Sequence, residues 1–289
     1  MKRWFISLYL TALTALVVTG LIGLAGPPPW LAPFGMMLAA GAPLAFFIWL
    51  LLGKPPRTDA HPVLVSVVSG LGVVLSMIAV WRFGDTWQPW LIGGLAALAG
   101  WMVYVRWYSR QPEPDDAPVP GDTLPELELI DGDGSVINTD ALRDHGGILL
   151  FYRGNWCPLC TAQIHELADA WRAIRQHNAR LWFISSQSQK HTREIAQKFD
   201  IPASFLRDPD NRAAKRLGIE ARGATPAGME ALGYPTDAAV PTVIVVDPEL
   251  KVRFIEVASN YRLRPDPGHY LKYLQPAGNV GAGGSGQNE

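Results

Sequence analysis

Positions 4–108 are filled with apolar residues and carry almost no charge, whereas charged residues return after Ser109 and the apolar positions break into short runs. A helix that spans a bilayer needs about 20 mainly apolar residues. Four stretches meet that length: Trp4–Leu24, Pro33–Leu52, Val63–Trp81 and Trp90–Trp107. They are separated by Gly26–Trp30, Lys54–Arg57 and Arg82–Asp85, and Trp and Tyr gather at their ends, as amphipathic rings do at a lipid–water boundary. Lys2, Arg3, Lys54, Arg57, Arg106 and Arg110 fall on one side of the spans and only Arg82 on the other. The positive-inside rule therefore predicts a multi-pass protein of the cell membrane with its N-terminus and everything after Arg110 in the cytoplasm. Residues 1–26 also fit a signal peptide, and three remaining spans would leave that sidedness unchanged. The spans contain no Asp, Glu, Lys, His or Cys. An anchor or assembly module, in contact with membrane lipid, is therefore expected ahead of a transporter. Pro33 and Pro43 are candidate kinks in the second span.

Residues 111–122 are rich in Pro and acid, an extended linker. From Thr123 the pattern alternates short strands with helices. Leu127–Ile130 and Val136–Ile137 flank Asp131–Gly134, whose Asp-Gly steps suit a hairpin. A calcium loop is the sharper alternative, but its twelfth position is Leu142 where a bidentate Glu is needed. Ile148–Tyr152 is a continuous apolar run, as in a strand buried on both faces. A helix is expected from Pro158 to Gln176, a strand over Ala179–Ser185, a helix over Thr192–Phe199, a strand over Ser204–Leu206 and a helix over Asn211–Leu217. Thr242–Val246 and Lys251–Val257 close the sheet, and Asp266-Pro267 opens a last helix. The expected organisation is an all-α transmembrane domain (1–110), a linker (111–122), an α/β domain (123–275) and a disordered tail (276–289). Gly223–Ala239 is long enough for a lid or binding loop, or for a flexible insertion.

The net charge of −1 and pI near 6.6 offer no electrostatic reason to expect nucleic acid. The chain has only two cysteines, in Cys157-Pro158-Leu159-Cys160. Structural disulfides stabilise by closing large loops, so a lone Cys-x-x-Cys points to chemistry. The motif lies between a buried strand and a helix, and the unpaired amides of a helix start favour a thiolate. Pro158 suits the first helical position, Arg153 adds positive potential upstream, and Cys160 faces the same side one turn later. Cys157 is thus the expected nucleophile. Zinc would need a second Cys or His pair. His165 lies off the cysteine face, and His145 and His177 show no pairing, so neither metal nor cofactor is expected.

Phe151–Cys160 resembles the active-site segment of the alkyl hydroperoxide reductase/thiol-specific antioxidant (AhpC/TSA) group, peroxiredoxin-like members of the thioredoxin superfamily. Leu206–Asp210 with Ala214–Gly218, Val240–Asp247 and Asn260–Pro265 are similar to later segments of the same group, in order over about residues 120–275. The resemblance implies a thioredoxin-like fold. It also exposes departures. A peroxiredoxin has Pro and Thr before its peroxidatic cysteine, which would fall on Cys160, and here Arg153 and Cys157 stand at those places. The peroxide-polarising Arg of the group falls on Pro241. Val240-Pro241-Thr242 resembles instead the cis-proline loop of thioredoxins, which aligns substrate, and Trp156 would shield the motif. These departures favour a thiol–disulfide oxidoreductase that attacks with Cys157 and resolves with Cys160, acting on a protein or small-molecule disulfide and served by an external thiol reductant. A thiol peroxidase with Cys160 peroxidatic and Cys157 resolving is the alternative. A redox-sensing membrane scaffold without enzymatic activity is the third.

Overall fold

A computed structural model describes residues 2–114 and 116–274. The expected disordered tail at 276–289 lies outside the described residues. The chain forms two compact units, the first comprising Met1–Pro112, Arg222–Thr236 and Ser259–Leu263, the second Glu113–Ala221, Asp237–Ala258 and Arg264–Glu289.

The first unit is built on four helices: α1 (Lys2–Leu24), α2 (Leu31–Gly53), α3 (Val63–Phe83) and α4 (Gln88–Val103), the last continued by a π turn at Tyr104–Tyr108. All four are long and apolar enough to cross a membrane. Leu52, Leu64 and Trp81 are 79%, 76% and 85% exposed on their outer surface, an arrangement that suits lipid rather than water. Small residues let α2 and α3 approach closely. A Cβ on Gly72 would lie 2.5 Å from both Gly35 O and Ala39 N. Hydroxyls inside the bundle return to backbone carbonyls: Ser69 Oγ donates to Ala39 O at 2.8 Å, Ser76 Oγ to Ala32 O at 3.2 Å and Tyr9 OH to Ala97 O at 2.8 Å. α2 runs continuously through Pro43.

Gly223–Ala239, expected as a lid or binding loop or as a flexible insertion, falls largely in the Arg222–Thr236 part of the first unit. It is fastened to the start of α1, where Ala227 N donates to Arg3 O at 2.8 Å, Ser7 Oγ donates to Ala227 O at 3.0 Å, and Arg3 pairs with Glu230. At the same end of the bundle Lys2 Nζ donates to Arg110 O at 2.6 Å.

The second unit is a thioredoxin-like α/β layer. Its elements in chain order are β1 (Glu128–Ile130), β2 (Val136–Asn138), β3 (Gly147–Phe151), α5 (Pro158–Asp169), α6 (Trp171–Gln176), β4 (Arg180–Ser185), α7 (Gln189–Ala196), β5 (Ser204–Arg207), α8 (Arg212–Arg216), β6 (Glu220–Ala221), β7 (Ala238–Ala239), β8 (Thr242–Val246), β9 (Val252–Val257) and α9 (Pro267–Leu271). The main sheet runs β2-β1-β5-β4-β3-β8-β9, with β3, β4 and β5 parallel and β8 antiparallel to β3; β6 and β7 form a separate pair. β3 and β8 are buried along their whole length, which accounts for their unbroken apolar sequence.

The Asp131 turn is a hairpin in which Asp131 Oδ1 accepts from the amides of Asp133 and Ser135, both at 2.9 Å. Two helix expectations need correction. The helix predicted over Pro158–Gln176 is broken at Ala170 into α5 and α6. The helix predicted over Thr192–Phe199 begins earlier, because Ser188 caps it by accepting from His191 N.

Candidate active site

β3 ends at Phe151, and the chain turns through residues 152–156 into α5. Cys157 is the N-cap residue of that helix and Pro158 its first residue, so Cys160 lies in the first turn. The amides of Cys160 and Thr161 both bond Cys157 O at 3.1 Å. The connecting loop is clamped from β4. Gln187, just past the end of that strand and fully buried, accepts from Asn155 N at 2.8 Å and donates to Tyr152 OH at 2.9 Å. Gly154 has φ +149°, and a Cβ there would lie 2.6 Å from the Trp156 indole nitrogen, so the close seat of Trp156 requires glycine. The Arg153 guanidinium stands 4.7 Å from the Trp156 ring centroid, a cation–π contact. Trp156 itself is half-buried.

The two sulfurs are free thiols in very different states. At Cys160, burial pushes the thiol up, but this is outweighed by a hydrogen bond from Cys157, by the Arg264 guanidinium and by the backbone amide and charge of Arg153, which together lower it to about 6. Arg264 Nη2 lies 3.7 Å from Cys160 Sγ. Cys157 moves the other way and stays well above the usual thiol range, because its hydrogen bond to Cys160, its burial and the neighbouring thiolate all hold its proton. The electrostatics thus favour the thiolate at Cys160, whereas the sequence reading expects it at Cys157. Its place at the helix N-cap is as predicted, but the guanidinium groups converge on Cys160, and two adjacent buried thiols do not both ionise. Nor is the dithiol open to solvent, since Cys157 is 2% and Cys160 0% exposed.

Pro241 and Thr242 adjoin the same end of the sheet, with Thr242 opposite Phe151 in the β3–β8 register. The cis-proline expectation fails: among the described residues the cis bond is Pro28–Pro29, and Val240–Pro241 is trans. The chain here runs extended from β7 into β8, with Val240 N donating to Ile219 O at 2.7 Å and Pro241 O accepting from Ala258 N at 2.9 Å. Thr242 is buried and its hydroxyl donates back to Val240 O at 2.9 Å. His165 is exposed and lies against Phe199, with ring centroids 4.5 Å apart and planes tilted by 53°.

Three polar residues at the site escape the sequence reading. Arg264 lies in the quoted Asn260–Pro265 segment, but spacing alone does not reveal which of its two arginines meets the thiol. Gln163 is one turn beyond Cys160 on the same helix face, 1% exposed, with neither amide atom bonded. Gln187 carries no sequence signal beyond following a strand. Arg264 Nε and Nη1 are likewise buried without a hydrogen-bond partner.

Residues 120–255 match the AhpC/TSA family. Peroxiredoxin 2 of Sulfurisphaera tokodaii is 28% identical over 108 residues, covering 35% of this chain and 51% of that protein. A peroxiredoxin of Hyperthermus butylicus is 25% identical over 142 residues, covering 47% of this chain and 61% of that protein. Among solved structures, peroxidoxin BcpB of Mycobacterium tuberculosis aligns with a TM-score of 0.44 at 21% identity, covering 54% of this chain and 95% of that one. The chain spans 66% and 46% of the length of the first two curated relatives it matches. The match to the AhpC/TSA family model thus lies in the C-terminal region, and the helices before it are candidate membrane spans.

Proposed function

We propose that the AhpC/TSA domain is a thiol peroxidase in which Cys160 attacks and Cys157 resolves, anchored by α1–α4 to the cell membrane on its cytoplasmic face. The observation that carries this reading is the convergence of Arg264 and the Arg153 amide on the sulfur of Cys160, leaving Cys157 protonated. A nucleophile must be a thiolate at working pH, and Cys160 meets that condition. The guanidinium that Pro241 does not supply comes from Arg264, whose two unbonded nitrogens are donors available to a peroxide oxygen.

In the first step the Cys160 thiolate attacks one oxygen of a hydroperoxide. The S–O bond forms as the O–O bond breaks, and the leaving alkoxide takes a proton and departs as alcohol, or as water when the substrate is hydrogen peroxide. Sulfur is oxidised to sulfenic acid and the peroxide is reduced. The Cys157 thiol then attacks the sulfenic sulfur, water leaves, and a Cys157–Cys160 disulfide forms. An external thiol reductant restores the dithiol by exchange. Because both sulfurs are buried, entry of peroxide requires the 153–156 loop beside Trp156 to open. Pro241 and Thr242 serve as the rigid strand edge beside the motif rather than as a substrate-aligning loop.

The cytoplasmic face is supported by the basic residues at one end of the bundle, Lys2, Arg3, Lys54, Arg57, Arg106 and Arg110. Reduction of disulfide substrates by Cys157 attack is the second reading, favoured by the dithiol spacing but opposed by the burial and the Cys160 hydrogen bond that push the Cys157 thiol up.

One experiment separates the two. Cys157→Ser and Cys160→Ser proteins are given stoichiometric hydroperoxide and a sulfenic-acid trap, and insulin reduction is measured in parallel. The peroxidase reading expects trapped sulfenic acid at Cys160 in Cys157→Ser and no peroxide consumption in Cys160→Ser. A Cys160→Ser protein that forms a stable mixed disulfide with insulin through Cys157 would overturn it.

A further inference from the structure

A backbone amide stabilises a thiolate only while the chain that carries it keeps the N–H aimed at the sulfur. At Cys160 one such donor is the amide of Arg153. Arg153 belongs to neither a strand nor a helix, because β3 stops at Phe151 and α5 starts at Pro158. Regular secondary structure therefore does not hold it, and something else must.

Gln187 is fully buried and commits both ends of its side-chain amide to this loop. A backbone N–H can only donate, so Asn155 N fixes Oε1 as the atom that faces it, at 2.8 Å. Nε2 is thereby turned to Tyr152 OH, to which it donates at 2.9 Å. The two gripped residues bracket Arg153 and Gly154. Backbone bonds close the same stretch: Tyr152 N donates to Ile184 O at 2.9 Å and Cys157 N to Gly154 O at 3.2 Å. A Cβ on Gly154 would lie 3.5 Å from Gln187 Oε1, so the amide lies directly against the turn. Gln187 is itself seated, since its N–H donates to Ser185 Oγ at 3.3 Å at the end of β4. β3 and β4 pair from Gly147–Arg180 to Phe151–Ile184, so the strand that leads into the loop and the strand that leads to its clamp are locked in register. All of these residues lie in the α/β unit.

We propose that Gln187 is a positioning residue for the redox centre: by gripping Tyr152 and Asn155 it holds the Arg153 amide against the Cys160 sulfur. The proposal rests on the reading of Cys160 as the attacking thiolate. Gln187 acts through the loop and is uncharged, so it brings no titration of its own. The titratable and charged groups that bear on Cys160 are Cys157, Arg264 and Arg153.

The test is the pH midpoint of Cys160 alkylation by iodoacetamide, read by peptide mass spectrometry on the full-length chain. Gln187→Met keeps the length of the side chain and removes both hydrogen bonds. It is expected to raise the midpoint by about half a pH unit to one unit, as loss of a hydrogen bond to the charged form does. The same rise should persist on an Arg264→Ala background, because the two residues serve separate donors. An unmoved midpoint overturns the proposal, even where alkylation at high pH becomes faster, since that pattern belongs to a latch that controls access alone. A rise that vanishes on the Arg264→Ala background also overturns it, because the effect would then run through Arg264. Should Gln187→Met not fold, Tyr152→Phe removes one of the two bonds; a smaller rise supports the proposal and no rise overturns it. Failure of the underlying reading looks different: in that case Cys157 is alkylated before Cys160 in the wild type itself. Alkylation needs no peroxide, so a wild type that fails to consume peroxide while this series holds would sink the peroxidase reading and leave the positioning role standing.

Discussion

Polar side chains buried in the two units behave differently. Within the spans of the first unit, Tyr9, Ser69 and Ser76 each return their hydroxyl to a backbone carbonyl. At the redox centre of the second, Arg264 Nε and Nη1 and both amide atoms of Gln163 are buried without a hydrogen-bond partner. A satisfied hydroxyl tightens packing, whereas a buried unpaired donor costs about 1–3 kcal/mol. A fold keeps such groups where something other than stability requires them. These three hydroxyls close the helical structure around them, whereas Arg264 and Gln163 keep unpaired polar atoms beside the Cys160 thiol.

That contrast can be broken at several places. Arg264→Ala is expected to have the largest effect, slowing oxidation of Cys160 by stoichiometric peroxide by about 100-fold, as loss of a charge-stabilising donor does. Stopped-flow peroxide kinetics would measure it. Gly72→Ala puts a Cβ 2.5 Å from Gly35 O and Ala39 N and should destabilise the helical unit by about 1–3 kcal/mol, seen by thermal unfolding in detergent. The alkylation profile of Cys160 should stay the same, because the damage lies in the packing of α2 on α3. Gln163→Met removes an unsatisfied amide at nearly constant length and should leave stability unchanged or raise it by about 1 kcal/mol. If oxidation of Cys160 slows at the same time, the amide is held for chemistry; if stability drops instead, the contrast between the units is weakened.

Much of this architecture was legible from residue order alone. Four long apolar runs can do little else than form helices, and β3 and β8 declare their burial through Ile148–Phe151 and Thr242–Val246. The dithiol at the start of α5 followed from a buried strand running straight into Cys157-Pro158. What sequence could not give was the contact between Arg264 and Cys160, which lie 104 residues apart and meet only through the fold. Helix-start reasoning favoured Cys157 because it weighed the dipole and the near Arg153 without the far guanidinium. The proline loop misled for a related reason: Val240-Pro241-Thr242 has the letters of a cis turn, but the pairing of β7 and β8 on either side keeps the chain extended. The attachment of the Gly223–Ala239 segment is not legible in residue order because its partners, Arg3 and Ser7, lie at the far end of the chain.

The central claim is that Cys160, not Cys157, carries the thiolate. Competitive alkylation of the reduced wild-type protein across the pH range, with each cysteine quantified by peptide mass spectrometry, tests it most directly. The thiol is unreactive when protonated, so modification of Cys160 should switch on as pH rises through about 6 and precede that of Cys157 throughout the neutral range. Modification of Cys157 first, with Cys160 following only in alkali, would contradict the account.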